Sequence, residues 1–435
     1  MDASLTTLPG SEVEIRVVIP FPEFEPHLKT AATAISEEIT VEGFRKGKAP
    51  YDVVKNRVGE NAIYERAAEI AVRKTYPKAR DILLEQGKLS PEHPAIGRPE
   101  VTISKLAPGN ELTYTIKVAL MPAVTLPDWR AIAKSATGEK KAQTVSDEEV
   151  DKTLAWLAES RMKLVAVARA AQKDDHAEID LEIRHDGVKI AEGDSKNHPL
   201  VIGKGKFLPG FEDELVGMEA GGRKTFSLVA PPDWRDATVA GKTLEFSVIM
   251  KSIQERMIPT VDDEFARGLG AFPNVEALKA NIREGLLTEK GEKEVQRIRG
   301  LTIAEIAKKA TMEVPEVLIA SEIGKMAAEL KAGVADLGMQ WEDYLLHIKK
   351  SEADLKKDWR DEAKNRVRSA LVLREIARKE QINPTEDEIK ERADQFLKQF
   401  ENGGEAGHAI DPRELHDYTQ GVLRNEKVFE LLENI

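Results

Sequence analysis

The spacing of apolar residues changes along this chain, and that change limits what the chain can fold into. Val13, Ile15, Val17 and Ile19 alternate, and Leu112, Tyr114, Ile116, Val118 and Leu120 repeat the alternation over five positions. A period of two marks a half-buried strand. Between these runs, Phe24, Leu28 and Ala32, then Ile63, Ala67 and Ile70, keep helical spacing. Val101 and Ile103 predict a further strand, and Pro91, Pro94 and Pro99 predict breaks around it. Residues 1–118 therefore read as a small α+β domain, with helices against an antiparallel sheet.

Pro122 and Pro127 mark a linker. Ser146-Asp147-Glu148-Glu149 has the capping-box pattern, and the helix it starts, through Val150, Leu154 and Leu157, is expected to run towards Ala171. Period two then returns. Ile179, Leu181 and Ile183 alternate, Asp186-Gly187 predicts a turn, and Phe226 with Leu228 and Leu244 through Met250 complete a mostly-β domain. Inside it, Gly203 to Glu212 precedes a short helix through Leu215 and Met218. A curved sheet wrapped on that helix leaves an apolar cleft where they meet. From 259 the period is helical nearly to the end. Pro315 opens one helix, Thr385 to Glu388 caps another, Gly403, Gly404 and Gly407 predict a flexible break, and Asp411-Pro412 starts the last. The fold class is multidomain α+β: an α+β domain, a β-rich domain and an all-helical domain. A chain of 435 residues has room for two to four domains.

Composition removes several classes of chemistry. The chain has no cysteine, so it has no disulfide, thiol nucleophile or thiolate metal site. The eight histidines are scattered without HExxH spacing, and no phosphate-cradling glycine motif is present. No cofactor or metal is expected. Acids at 2, 12 and 14 and the absence of a long apolar run predict neither a signal peptide nor a membrane span.

One loop stands apart from this acidic chain of net charge −12. In Gly43-Phe44-Arg45-Lys46-Gly47-Lys48-Ala49-Pro50, glycines and a proline frame one aromatic and three basic residues. From 43 to 58 five bases face the single acid Asp52, a local charge of +4. A basic tip on an acidic protein suits a polyanion, since the local charge governs such contacts. Arginine offers paired hydrogen bonds to phosphate, and an exposed phenylalanine can anchor in an apolar site.

With these residues in view, the chain resembles the bacterial trigger factor family of ribosome-associated chaperones along essentially its whole length. The Gly43–Pro50 loop is similar to the family's ribosome-docking signature. Gly203 to Glu212 with Leu215, Gly217 and Met218 resembles the centre of an FK506-binding-type peptidyl-prolyl isomerase. Val314-Pro315 through Ser321-Glu322 is similar to the family's C-terminal domain. The resemblance implies a ribosome-binding domain at 1–118, a linker at 119–149 packed along the helical domain, an isomerase domain with its leading helix at 150–253, and a helical chaperone domain with arms at 254–435. It implies a cytoplasmic, ATP-independent chaperone at the tunnel exit of the large ribosomal subunit, in contact with ribosomal protein and RNA. Its clients would be nascent and unfolded polypeptides, with no membrane partner and a homodimer off the ribosome.

Ribosome contacts then fall to Gly43, Phe44, Arg45, Lys46, Gly47 and Lys48, and the isomerase pocket to Leu181, Ile190, Phe207, Leu208, Phe211, Trp234 and Phe246. Phe211 would form the floor under the proline ring, the Leu208 N–H a donor to the peptide, and Trp234 the rim, where the family usually carries tyrosine. Leu181 and Ile190 stand where relatives commonly have aromatics, and Ala191 where they have an acid, so the resemblance implies reduced isomerase activity. Met326 and Met339 are candidates for adaptable contacts to clients. The alternatives are a free-standing isomerase or holdase whose basic loop is idle, and a nucleic-acid module acting through that loop. The second has only a small basic footprint.

Overall fold

The computed structural model describes residues 1–205, 207–232, 239–402 and 411–435. Trp234 and the glycines at 403, 404 and 407 lie outside them, as does the side chain of Ala191. The chain divides into two compact units. One is built from Met1–Lys140 with Val295–Ile435, the other from Lys141–Glu294.

In the first unit, β1 (Asp2–Leu8), β2 (Glu12–Ile19), β3 (Ala95–Lys105) and β4 (Leu112–Leu120) form an antiparallel sheet ordered β1-β2-β4-β3. Ile15 pairs with Ile116 and Val17 with Tyr114, so both alternating runs place their apolar sides on one face. Helices α1 (Phe21–Glu38), α2 (Tyr51–Val58) and α3 (Glu60–Glu85) supply the rest of this core: Phe24, Ala31, Val54, Ile63, Ala67 and Leu83 are buried with Ile15 and Ile116. The polar tip of Tyr114 is satisfied there. Thr75 Oγ1 donates to the Ala71 carbonyl at 2.6 Å, and the Tyr114 hydroxyl lies 2.7 Å from the same oxygen, placed to donate to it. Pro99 does not break the chain. It sits inside β3 where the register shifts between Ile96 and Glu100, on an edge strand where a missing N–H is tolerated. β1 buries only Ala3, which is why its sequence carries no alternation. Beyond the sheet, α4 (Trp129–Thr137) is capped by Asp128, whose Oδ1 accepts the Ala131 N–H at 3.1 Å.

The second unit opens with α5 (Asp147–Ser160). The Ser146 hydroxyl accepts the Glu149 N–H at 3.3 Å, and the Glu149 carboxylate accepts the Ser146 N–H at 2.9 Å. The helix stops at Ser160, well short of Ala171, because β5 (Lys163–Ala166) is drawn into a sheet. That antiparallel sheet contains β6 (His176–His185), β7 (Val188–Val201), β8 (Arg223–Val229) and β9 (Thr243–Met257), in the order β5-β9-β6-β7 with β8 also on β9. Asp186 and Gly187, with φ of 50° and 78°, make the tight turn between β6 and β7. The one-turn helix α6 (Phe211–Leu215) contributes Phe211 and Leu215 to the core that holds Phe246, Val248 and Met250 of β9. Separately, Val150 and Leu154 of α5 are buried with Ala266 of α7 (Asp263–Leu269) and with Leu278 and Ile282 of α8 (Val275–Lys309).

The cap of α5 gives a stability prediction. The Lys290 ammonium, and after it the Ser146 N–H, hold the Glu149 carboxyl down at about 2. A depressed carboxylate stabilises the fold above the ordinary carboxylate range, and the benefit is lost as pH falls towards the folded value. The difference in urea resistance between the natural chain and Glu149→Gln should therefore shrink as pH drops from 4.5 to about 2. Ser146→Ala should cost about 1 kcal/mol at neutral pH in the same unfolding measurement.

The remaining helices return to the first unit. They are α9 (Glu316–Asp336), α10 (Trp341–Ile348), α11 (Glu352–Asp358), α12 (Arg360–Lys379), α13 (Glu386–Asn402) and α14 (Pro412–Glu433). Trp129 and Ala133 of α4 are buried with Ile306 of α8, Val372 and Ile376 of α12, and Val428 and Leu432 of α14. Thr385 caps α13 through Glu388, and Asp411 caps α14 through the Arg413 N–H at 2.8 Å. The β1–β2 turn is tied to the segment between α8 and α9 by Glu313, whose carboxylate accepts the N–H groups of Gly10 at 2.9 Å and Ser11 at 3.3 Å.

Candidate functional site

The basic loop joins α1 to α2, and its two ends are anchored. Ala49 is buried in the core of the N-terminal sheet, and Val41 and Tyr51 pack against it. Within the loop the Phe44 N–H donates to the Val41 carbonyl at 3.2 Å, Lys48 to Arg45 at 3.0 Å, and Gly47 to Ser36 of α1 at 3.0 Å. Gly47 has φ of 77°, and a Cβ there would come within 2.9 Å of Glu37 Cγ. Only glycine takes this conformation freely.

A pinned backbone holds the tip side chains outward. Phe44 is 42% exposed, and Arg45, Lys46 and Lys48 are exposed. Among the described residues no ion pair engages these three bases, whereas Lys55 is paired with Glu60 at 2.7 Å. The free charge is therefore narrower than the sequence run from 43 to 58 suggests, and it surrounds one exposed aromatic ring. Gly47→Ala should destabilise the N-terminal sheet and helices by roughly 1–2 kcal/mol, the cost of a left-handed alanine. Urea unfolding of the natural and variant chains measures it.

The second group of residues meets in the β-rich core. Leu181, Leu208, Phe211 and Phe246 are buried together, with Ile190 and Phe207 half-buried against them. Six of the seven residues expected in the pocket thus share one cluster. The seventh, Trp234, is outside the described residues. Phe211 has no exposed surface. Its ring lies 4.2 Å from Phe207, 5.2 Å from Phe246 and 5.4 Å from Phe226, centre to centre. Phe226 is a member the sequence reading placed only in a strand. Its signal was the spacing of Phe226 and Leu228, which puts an aromatic on the inner side of β8 opposite Phe246. The loop before α6 is fastened by Glu212, a buried carboxylate that accepts the Gly205 N–H at 2.7 Å.

A third surface lies where α9 gives way to α10. Leu337 is 82% exposed, Leu346 75% and Met339 41%, and α10 buries none of its residues. Trp341 stacks on Tyr344 at 5.6 Å, with the Lys331 ammonium 5.1 Å above the indole. Large apolar side chains left this exposed within ten residues of one another are candidates for an interaction surface. Met326 does not belong to it. It is buried with Ile319 and Ala363, because it lies on the α9 face that packs on α12.

No helix among the described residues is long and apolar enough to cross a membrane. Residues 1–157 match the family described as bacterial trigger factor protein, residues 274–433 match its C-terminus, and residues 167–251 match the FKBP-type peptidyl-prolyl cis-trans isomerase family. The trigger factor of a Geobacillus species is 31% identical over 402 residues, spanning 92% of this chain and 91% of the relative. That of Anoxybacillus flavithermus is 30% identical with the same shares, and that of Clostridium tetani 29% identical over 99% of this chain and 98% of its own. With similarity of this extent running through all three regions, the chain belongs to the trigger factor family of chaperones.

Proposed function

We propose that this chain is an ATP-independent chaperone that docks on the large ribosomal subunit beside the tunnel exit, meets nascent polypeptides there, and isomerises X-Pro bonds. The observation that carries the docking role is the pinned loop with Phe44 outward among three bases that no ion pair engages among the described residues. Arg45 and Lys46 reach phosphate, Phe44 fills an apolar site on a ribosomal protein, and Lys48 adds charge. The surface around Leu337, Met339 and Leu346 then meets apolar segments as they emerge. Proximity at the ribosome raises the effective concentration of the nascent chain, so weak and reversible contacts suffice. Such work belongs in the cytoplasm. Off the ribosome the same exposed surfaces are free to meet a second copy, in keeping with the homodimer the family resemblance implies.

The isomerase role rests on the aromatic cluster. Rotation of an X-Pro bond is opposed by amide resonance, a barrier of about 20 kcal/mol. It requires no nucleophile or proton transfer. An apolar site that strips water from the imide and grips the prolyl ring favours the twisted bond over the planar one. Phe211, Phe246 and Leu208 offer that surface, with the Leu208 N–H as donor to the peptide.

Two assays test the two roles separately. The intact chain should pellet with bacterial ribosomes at low salt and progressively less at high salt. It should not bind free ribosomal RNA comparably, and such binding would favour a nucleic-acid module. It should also speed the slow phase of a proline-limited refolding reaction. Failure to pellet at low salt overturns the docking role, and an unchanged slow phase overturns the isomerase role.

A further inference from the structure

The pocket is already filled by one of its own side chains. Phe211 is fully buried, and the ring lying closest to it is Phe207, 4.2 Å away with the two planes 30° apart. A prolyl ring gripping Phe211 needs a similar separation, about 4 Å between carbon atoms. Two rings cannot occupy the same face of Phe211 at that distance, so a prolyl ring that seats there must displace what covers it.

Three aromatic neighbours touch Phe211, and they differ in what holds them. Phe226 and Phe246 sit opposite each other in the β8–β9 ladder and stack at 5.5 Å, so moving either disturbs paired strands. Phe207 belongs to no strand or helix and is half-buried. Phe207 also meets the His198 ring of β7 nearly at right angles, 5.8 Å centre to centre, and His198 Nδ1 lies 3.4 Å from Ser195 Oγ. Leu181 and Ile190, packed in the same cluster, are aliphatic.

We propose that Phe207 is a self-occupying residue: its ring holds the prolyl subsite on Phe211 in the free protein and turns away from Phe211 to admit a peptide. This rests on the isomerase reading of the pocket and adds to it a direction of effect. The packing of Phe207 on Phe211 opposes peptide binding, so removing the ring strengthens binding where loss of an ordinary wall residue weakens it.

The test uses the full chain in natural form and as Phe207→Ala, Phe207→Met and Phe207→Trp. Affinity for a fluorescent prolyl peptide is read by anisotropy, with the same peptide carrying alanine for proline as control. Turnover is read separately on a chromogenic prolyl tetrapeptide, and thermal unfolding reports whether each variant folds. Phe207→Ala is expected to tighten prolyl-peptide binding about threefold to tenfold, the scale of a lost aromatic pair. Phe207→Met, which keeps bulk without the ring, should tighten it less and carries the test if the alanine variant unfolds. Phe207→Trp should weaken binding. Unchanged or weaker binding in folded Phe207→Ala and Phe207→Met overturns the proposal. Tighter binding without turnover in any form sustains it while overturning the isomerase reading. Absence of prolyl-specific binding in every form overturns both.

Discussion

Replacing Phe44, Arg45 and Lys46 together with alanine should lower affinity for ribosomes by about a hundredfold or more, while the chain stays folded. The size follows from losing one anchor and two phosphate contacts, each worth roughly 1–2 kcal/mol at a well-packed interface. Folding is spared because all three side chains point away from the core, whereas Ala49, Val41 and Tyr51 anchor the loop. The variant should also show a shallower dependence of log affinity on log salt, since two bases no longer release counterions. Phe44→Ala alone should weaken binding with the salt slope unchanged. A triple variant that pellets as well as the natural chain removes the loop from the interface.

The largest stability effect should come from Phe211→Ala. The ring is fully buried between three other phenylalanines, and its loss opens a cavity that the paired strands β8 and β9 cannot close. Phenylalanine-to-alanine changes in such cores cost about 3–5 kcal/mol. Because the chain has two compact units, unfolding need not follow a single transition. The expected result is a urea transition of the β-rich unit shifted to lower denaturant, with the transition of the N-terminal sheet and helices unmoved. Phe211→Leu should be milder in stability and still weaken prolyl-peptide binding, because it removes the flat surface that stacks on proline. Equal stability of Phe211→Ala and the natural chain would show that the ring is not in the core.

Those two regions were legible in the sequence for different reasons. The strands at 12–19 and 112–120 could be read because each keeps one apolar face in the core while Glu12, Glu14 and Arg16, or Thr113, Thr115 and Lys117, stand on the other, so their alternation in residue type is clean. β1 and α2 could not, because each buries a single residue, Ala3 and Val54. The end of α5 was misplaced because nothing local stops it near Ser160. It ends because Lys163 to Ala166 pairs with β9, a partner some ninety residues away. Pro99 misled in the opposite sense, since an edge strand with a register shift tolerates a proline that a central strand would not.

The sites show the same division. Composition and spacing exposed the basic tip, because charge and glycine at a turn are local properties. They could not show that Lys55 is already paired while Arg45, Lys46 and Lys48 are unpaired among the described residues, since that depends on Glu60 lying within reach. The phenylalanines at 207, 211 and 246 were expected in one pocket from family resemblance. That Phe207 lies on Phe211 follows only from packing. Met326 and Met339 are alike in sequence terms, yet one is buried against α12 and the other is exposed before α10.

On the proposed reading the basic loop places an apolar-binding surface beside the emerging chain. A photo-crosslinking side chain at Leu346, in otherwise natural protein added to stalled ribosome–nascent-chain complexes, tests it most directly. The expected result is a crosslink to an apolar nascent segment that disappears when Phe44, Arg45 and Lys46 are alanine and when the nascent chain is released. A crosslink of equal strength with the loop intact or replaced would contradict it.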